Sequence, residues 1–124
     1  EDFEGAIERA ARERADGLVH MPDGLYFLHR RALVERVART RLPAMYASIE
    51  AVTDGGLMTY SIDNLDLMRK AADYVDRILR GASPSELPIE RPTRIHLVLN
   101  LRTAKAQGIK CPQSLLVRAD QVIE

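Results

Sequence analysis

The side chains best suited to bind a small molecule follow three short apolar runs of the sequence. They are Asp23, Ser48, Glu50, Tyr60, Ser61 and Asp63. Their carboxylates and hydroxyls can hold polar groups, and a tyrosine ring can stack on an apolar one. Capping is a competing explanation for Asp23 and Asp63, because each precedes a predicted helix and could accept its free amide hydrogens. Tyr60 could equally be a core aromatic residue with only its hydroxyl at the surface.

Residues that could carry catalysis do not form a recognisable pattern. Gly55 and Gly56 precede a strand, whereas a phosphate-binding loop needs glycines between a strand and its helix. The three histidines share no zinc-ligand spacing with each other or with the single cysteine, Cys111. A nucleophilic serine would need a G-x-S-x-G turn, which is missing. We therefore expect a binding protein rather than an enzyme, with no catalytic residue, metal or cofactor.

The composition fits one small domain without a charged partner. The chain has 124 residues, of which 46% are hydrophobic, enough for one core. Its 18 basic and 18 acidic side chains cancel, which argues against nucleic acid or an anionic membrane held by net charge. With one cysteine, no intrachain disulfide can form.

Short apolar segments alternate with amphipathic ones, which is the pattern of an α/β fold. Strands are predicted at 18–21, 44–47, 57–60 and 95–100. The last alternates apolar and other residues, which predicts a half-buried strand. Strands separated by helices predict a mostly parallel sheet with helices on both faces, a three-layer α/β/α arrangement. Ligands of such sheets bind at the carboxyl ends of the strands, where the candidate residues fall.

The helices are predicted from apolar residues at helical spacing. A helix that Asp23 caps should bury Leu25, Leu28, Ala32, Leu33 and Val37. The longest helix should begin after Asp63, end near Gly81, and bury a stripe of Leu65, Met68, Ala72, Val75 and Leu79. A Pro-rich strap at 82–93 follows, and two short helices, about 101–107 and 113–123, complete the chain.

From about residue 15 to 124, the sequence resembles the carboxyl-terminal half of bacterial ABC-transporter substrate-binding proteins. The segments that carry the resemblance are GGLMTYS (55–61), AADYVDRILRGASPSELPIERPT (71–93), LVLNLRTAKAQGI (97–109) and PQSLLVRADQVIE (112–124). The resemblance implies a type I periplasmic-binding-protein fold, which is flavodoxin-like or Rossmann-like. It also implies that residues 1–124 are a single domain, mainly the carboxyl-terminal lobe, and that the amino-terminal lobe is absent from this chain.

In receptors of this kind, two lobes enclose a small solute. The resemblance places Asp23 where an acidic residue suits a ligand ammonium group, and Tyr60 and Ser61 where stacking and hydrogen bonding are expected. Free amides at helix starts, such as those after Asp63, would suit a carboxylate. These features favour an amino acid or a similar zwitterion. Gly24 stands where the family often has proline, so the resemblance does not name the ligand.

The resemblance also implies partners and a location. The solute would pass to the permease subunits of the transporter, and the isolated lobe could self-associate through its exposed inter-lobe surface. The whole protein would be periplasmic, or extracellular and membrane-anchored, for example as a lipoprotein, and would carry a signal peptide. The alternative is the ligand-sensing domain of a cytoplasmic transcriptional regulator, because that class shares the fold.

Overall fold

The computed structural model describes residues 3–124 and separates them into two units. The first consists of residues 3–61 and 96–124, and the second of residues 62–95. Residues 1 and 2, which the predicted domain includes, lie outside the described residues.

Five strands form one sheet, in the order β1-β2-β3-β4-β5. Their bounds are Leu18–Val19, Ala44–Tyr46, Met58–Ile62, Ile95–Asn100 and Gln121–Ile123. The pairs β1–β2, β2–β3 and β4–β5 are parallel. The predicted α/β class with a mostly parallel sheet is therefore confirmed.

Seven α-helices alternate with the strands over residues 3–124. In chain order, α1 to α7 are Phe3–Arg12, Gly24–Leu28, Arg30–Thr40, Ile49–Thr53, Asn64–Leu79, Leu101–Gln107 and Gln113–Leu116. The second unit contains α5 and a 3-10 turn at Pro84–Glu86. No helix within the described range is both long enough and apolar enough to cross a membrane.

The core of the first unit lies between its sheet and the helices that precede β2 and β3. It is built from Ile7, Leu33, Val34, Val37, Ala44, Tyr46 and Ala51, with Phe3 and Leu18 packed against it. The helical spacing of Ile7 on α1 and of Leu33 and Val37 on α3 turns these side chains inward. Arg36 joins the two helices on the outside, through ion pairs to Glu4 and Glu8.

The single helix predicted after Asp23 is wrong, because the chain turns at His29 and forms two helices. His29 is both the C-cap of α2 and the N-cap of α3, with φ −100° and ψ 17°. Leu33 and Val37 are buried as predicted, whereas Leu25, Leu28 and Ala32 are exposed. These angles depart from helical values, so the predicted stripe does not continue through His29.

Two predictions near the carboxyl end are also wrong. The segment 113–123 is a short helix, α7, which ends at Leu116, followed by the strand β5. Just before β5, the Asp120 carboxylate accepts from the Leu97 amide of β4 at 2.8 Å. The strand β4 is not half-buried, since Leu97, Val98, Leu99 and Asn100 are all buried. An inner strand of a parallel sheet is typically buried on both faces, because the crossover helices pack above and below it.

In the second unit, a strap runs back along α5. Asp63 caps the helix by accepting from the Asp66 amide at 3.0 Å, and Gly81 follows its end with φ +102°. The Tyr74 hydroxyl donates to the Pro88 carbonyl at 2.6 Å. The predicted burial of the α5 stripe is wrong, because no residue of α5 is buried.

Candidate functional site

The carboxyl ends of β1, β2 and β3 lie at one edge of the sheet, because these neighbouring strands are parallel. In the register of the sheet, Met45 is paired with Val19 on one side and with Met58 on the other, and Tyr46 is paired with Thr59. The chain then leaves each strand at this edge. All six candidate residues lie at or after the ends of these strands: Asp23 follows β1, Ser48 and Glu50 follow β2, Tyr60 and Ser61 lie in the second half of β3, and Asp63 follows β3 directly. The shared edge on which the predicted site depends is therefore present, and the site itself stays a prediction.

Asp23 is an N-cap whose carboxylate is only partly used by the helix that it caps. Its Oδ1 accepts from the amides of Leu25 at 2.8 Å and Tyr26 at 3.3 Å, and its backbone is extended. The side chain is exposed, and Oδ2 takes no part in the cap. The capping explanation is thus correct, and it leaves one carboxylate oxygen for a positively charged group.

Ser48 and Glu50 begin α4 but differ in access to solvent. Ser48 is buried, and its Oγ accepts from the Ala51 amide at 3.3 Å, so its hydroxyl serves as the cap of the helix. Glu50 is exposed in the first turn. The exposed Glu50 carboxylate can reach a ligand. The Ser48 hydroxyl is used by the helix cap, so Ser48 holds the start of α4 in place instead.

Tyr60 and Ser61 end β3 with opposite environments. The Tyr60 side chain is 58% exposed, so the alternative of a core aromatic residue is wrong. The Ser61 Oγ is shielded from solvent and has no hydrogen-bond partner within residues 3–124. Directly before Tyr60, the buried Thr59 hydroxyl donates to the Tyr46 carbonyl at 2.7 Å and holds β3 against β2. This bond fixes the strand from which Tyr60 projects.

Asp63 lies in the second unit, where it caps α5. Its amide also donates to the Arg94 carbonyl at 3.0 Å, which joins the start of that unit to its end. Capping therefore accounts for Asp63 within its own unit. Over residues 3–124, no group of three or more histidine, cysteine, aspartate or glutamate side chains could hold a metal ion.

His20 is a further residue at this edge, which the sequence indicated only as part of an apolar run. Its amide donates to the Met45 carbonyl at 2.9 Å, and its ring lies edge-on to Tyr26 with centroids 4.9 Å apart. Nε2 is shielded from solvent, and no partner for it is found in the described part of the chain. The sequence offered one signal that His20 lies at this edge, namely its position three residues before Asp23.

The environment of His20 should make stability depend on pH. Burial lowers the pKa of this imidazole below its ordinary value of 6.5, and the Asp23 carboxylate opposes that shift. The unfolded chain therefore binds more protons just below pH 6.5, and stability should fall as the pH drops through this range. Thermal unfolding from pH 8 to pH 5 should show a falling Tm, and His20→Gln should flatten that fall.

His29→Gln is the matched control, because the His29 side chain is exposed where α2 meets α3. This variant should keep the wild-type dependence on pH. If both variants flatten the profile equally, the burial of His20 is not its cause.

Comparison with known proteins identifies the family. A family model described as "ABC transporter substrate binding protein" matches residues 1–123. The chain belongs to this family. Its members are binding proteins rather than enzymes, which agrees with the lack of a catalytic pattern. No curated protein matches the sequence.

Solved structures of similar fold cover nearly all of this chain. A conserved domain protein from Vibrio cholerae is 25% identical, with a TM-score of 0.89 over 98% of this chain. An ABC domain in complex with L-Trp from Streptococcus pneumoniae is 24% identical, with the same TM-score and coverage. A ligand-free, open substrate-binding protein with adhesive properties from Clostridium difficile is 20% identical over 98% of this chain, with a TM-score of 0.60.

The match is unequal in length. This chain spans 40% of the Vibrio and Clostridium structures and 41% of the Streptococcus structure. The low identities to the last two support the shared fold and nothing finer.

Proposed function

We propose that this chain is mainly the second lobe of an extracytoplasmic solute receptor that delivers its ligand to an ABC-transporter permease. The match of the family model to residues 1–123 is the observation that carries the proposal. The lobe absent from this chain would enclose the solute from the other side. A signal peptide, and a lipid anchor if the receptor is a lipoprotein, would belong to the longer polypeptide.

The preferred solute is an amino acid or a similar zwitterion. Oδ2 of Asp23 would accept from the ammonium group, since Oδ1 is held by the α2 cap. The exposed Tyr60 ring would cover the apolar side of the ligand, and Ser61, the next residue of β3, would offer its hydroxyl, which has no hydrogen-bond partner within residues 3–124. An amino acid is also the ligand in the pneumococcal structure.

The other candidates would contribute less directly. Glu50 is exposed beside the same edge and could widen the acidic rim, whereas the buried Ser48 would position its loop. Asp63 lies in the second unit, and the free amides at the start of α5 would suit a carboxylate there. Its own charge would weaken that attraction, because it stands at the same helix end.

Asp23→Asn in the full-length receptor tests the ammonium contact while keeping the cap. The amide oxygen of asparagine can still accept from Leu25, so the cap is kept, while the oxygen that would face the ammonium group becomes an uncharged NH2 donor. A hydrogen bond to a charged group contributes about 1.5–3 kcal/mol, so affinity for the best amino acid should fall roughly 10- to 100-fold. Isothermal titration calorimetry, after a thermal-shift screen of the amino acids, would measure this change.

Asp16→Asn is the matched control, because Asp16 is an exposed acidic residue in the turn before β1. Its affinity should equal that of the wild type.

The 124-residue chain should bind only at about millimolar concentration, because half of a roughly 8 kcal/mol interaction leaves about 4 kcal/mol. If no amino acid binds the full-length receptor, the zwitterion is the wrong solute class. If both variants bind an amino acid as tightly as the wild type does, Asp23 does not contact its ammonium group.

A further inference from the structure

Two helices of the first unit end beside each other in a group of arginines. Only five residues separate α1 from β1, and three separate α3 from β2, so both helices end at the edge of the sheet where these parallel strands begin, the amino edge. Within residues 3–124, none of the guanidinium groups at these helix ends forms an ion pair. The "arginine cluster" consists of five exposed residues at the two helix ends and in the turns that follow: Arg9, Arg12, Arg14, Arg39 and Arg41.

The turns after the two helices are in contact. The Leu18 amide donates to the Pro43 carbonyl at 2.8 Å, and a Cβ at Gly17 would lie 3.1 Å from the same oxygen. Farther along the helices, Ile7 of α1 and Leu33 of α3 belong to the same core. The arginines of both helix ends therefore share one edge of the sheet, opposite the edge that carries the candidate solute site.

The amino edge carries more positive than negative charge. Residues 9–17 and 37–43 contain the five arginines and two acidic residues, Glu13 and Asp16, which leaves an excess of three positive charges. The equal totals of basic and acidic side chains in the chain conceal this local excess. The local excess decides the attraction to a charged surface, because charges more than about 10 Å apart are largely screened in salt solution.

Backbone conformation singles out two of the five arginines. Of residues 3–124, the non-glycine residues with a positive φ are Arg14 and Arg41, each at +57°. Glycine and asparagine adopt this conformation at lower cost, and they are the usual residues where a helix ends in this way. The helix dipole explains basic residues in a last turn, such as Arg12 and Arg39, but it does not call for arginine at a strained position. Strain at an exposed residue points to a use for its side chain.

The arginine cluster lacks the apolar anchor of a protein interface. No large apolar side chain is exposed in residues 9–17 or 37–43. The energetic centre of a protein–protein interface normally includes buried aromatic side chains. A membrane surface that contains anionic lipids attracts arginines by charge alone, and each arginine raises the partition coefficient about fivefold. The composition of the amino edge therefore favours a lipid surface over a protein partner.

We propose that the arginine cluster binds the surface of a membrane that contains anionic lipids. The inference goes beyond the proposed function, since it concerns the edge opposite the solute site and does not depend on the solute. The choice of a membrane rests on the proposed function in one respect, because a receptor that serves a permease works beside a bilayer. Three excess charges bind only weakly on their own, so the cluster would orient a receptor that a second attachment, such as a lipid chain, holds nearby.

Sedimentation with lipid vesicles tests the proposal on the full-length polypeptide, purified without a lipid anchor. At low salt it should bind vesicles of phosphatidylglycerol and phosphatidylcholine, should not bind vesicles of phosphatidylcholine alone, and should be released as salt is added. The double variant Arg14→Asn, Arg41→Asn should lower the partition coefficient about 25-fold, because two arginines are lost. Asparagine tolerates the positive φ, so the Tm of this variant should equal or exceed that of the wild type.

Two further double variants control for the backbone and for net charge. Arg12→Gln with Arg39→Gln removes two arginines at ordinary helical positions and should weaken binding to a similar extent. Lys110→Asn with Arg118→Asn removes the same charge from exposed residues between α6 and β5, and the partition coefficient should stay within about twofold of the wild-type value.

Four outcomes would overturn the inference. The wild type could fail to bind anionic vesicles at low salt, or it could bind neutral vesicles equally well. The control variant at Lys110 and Arg118 could weaken binding as much as the cluster variants, which would mean that net charge alone is responsible. The wild type could also ignore vesicles and bind duplex DNA through the same arginines, which would assign the cluster to nucleic acid.

Amino-acid titration of the same samples separates this inference from the proposed function. Binding of an amino acid without binding to anionic vesicles refutes the membrane contact alone. Binding to anionic vesicles without binding of any amino acid refutes the solute class alone.

Discussion

Asn100→Ala should lower the free energy of unfolding by about 3 kcal/mol, because this buried side chain joins two parts of the first unit. Asn100 is 5% exposed. Its Oδ1 accepts from the Thr103 amide at 3.1 Å and caps α6, while its Nδ2 donates to the Val52 carbonyl at 3.2 Å, at the end of α4. Alanine would leave the Thr103 amide without its acceptor, which costs about 1–3 kcal/mol for a buried donor. It would also remove one hydrogen bond to the Val52 carbonyl, which keeps the Gly55 amide, at a cost of about 0.5–1.5 kcal/mol. Urea denaturation followed by circular dichroism would measure the loss.

Two further variants separate the roles of the Asn100 side chain. Asn64→Ala is the matched control, because Asn64 is exposed at the start of α5, and it should change stability by less than about 0.5 kcal/mol. Asn100→Asp keeps the cap but turns a carboxylate oxygen toward the Val52 carbonyl. This repulsion favours the protonated form, so the variant should approach wild-type stability as the pH falls. A loss for Asn100→Ala no larger than for Asn64→Ala would contradict the structure.

Local signals in the sequence predicted the parts of the fold that local interactions determine. The caps at Asp23 and Asp63 follow from a short acceptor side chain directly before a helical pattern, and both are present. The carboxyl-end edge also follows, because parallel strands separated by helices must end on the same side. Position along the strand was therefore enough to place Asp23 and Tyr60 at that edge.

Long-range contacts determined the parts that the sequence missed. The strand β5 pairs with β4 across more than twenty residues, through Val98 and Gln121 among others, and nothing in the local pattern signals that partner. The environment of Ser61 is likewise set by neighbours that the sequence does not reveal. On α5, the spacing predicted an apolar side correctly, but no pattern states what covers it.

Gly56→Ala should be the most damaging glycine substitution in the first unit. A Cβ at this buried position would lie 2.7 Å from Cδ2 and Cε2 of Tyr46 and 2.8 Å from the Ala51 carbonyl oxygen. That oxygen already accepts from the Gly56 amide at 2.8 Å, so the two backbones cannot separate without losing the bond. Overpacking of this kind costs about 1–3 kcal/mol and sometimes more, and we expect about 3 kcal/mol in urea denaturation.

Substitutions at two other glycines separate the cost of a close contact from the cost of a positive φ. Gly55→Ala should cost about 1–2 kcal/mol, because Gly55 has φ +111° but its nearest neighbour, Val34 Cγ1, is 3.7 Å away. Gly24→Ala should be neutral or slightly stabilising, since nothing lies within 4 Å at the start of α2. Trimming the ring with Tyr46→Leu should not rescue Gly56→Ala, because the Ala51 carbonyl remains in place. A tolerated Gly56→Ala would mean that the turn before β3 does not approach α4 this closely, and that Tyr46 is not held between them.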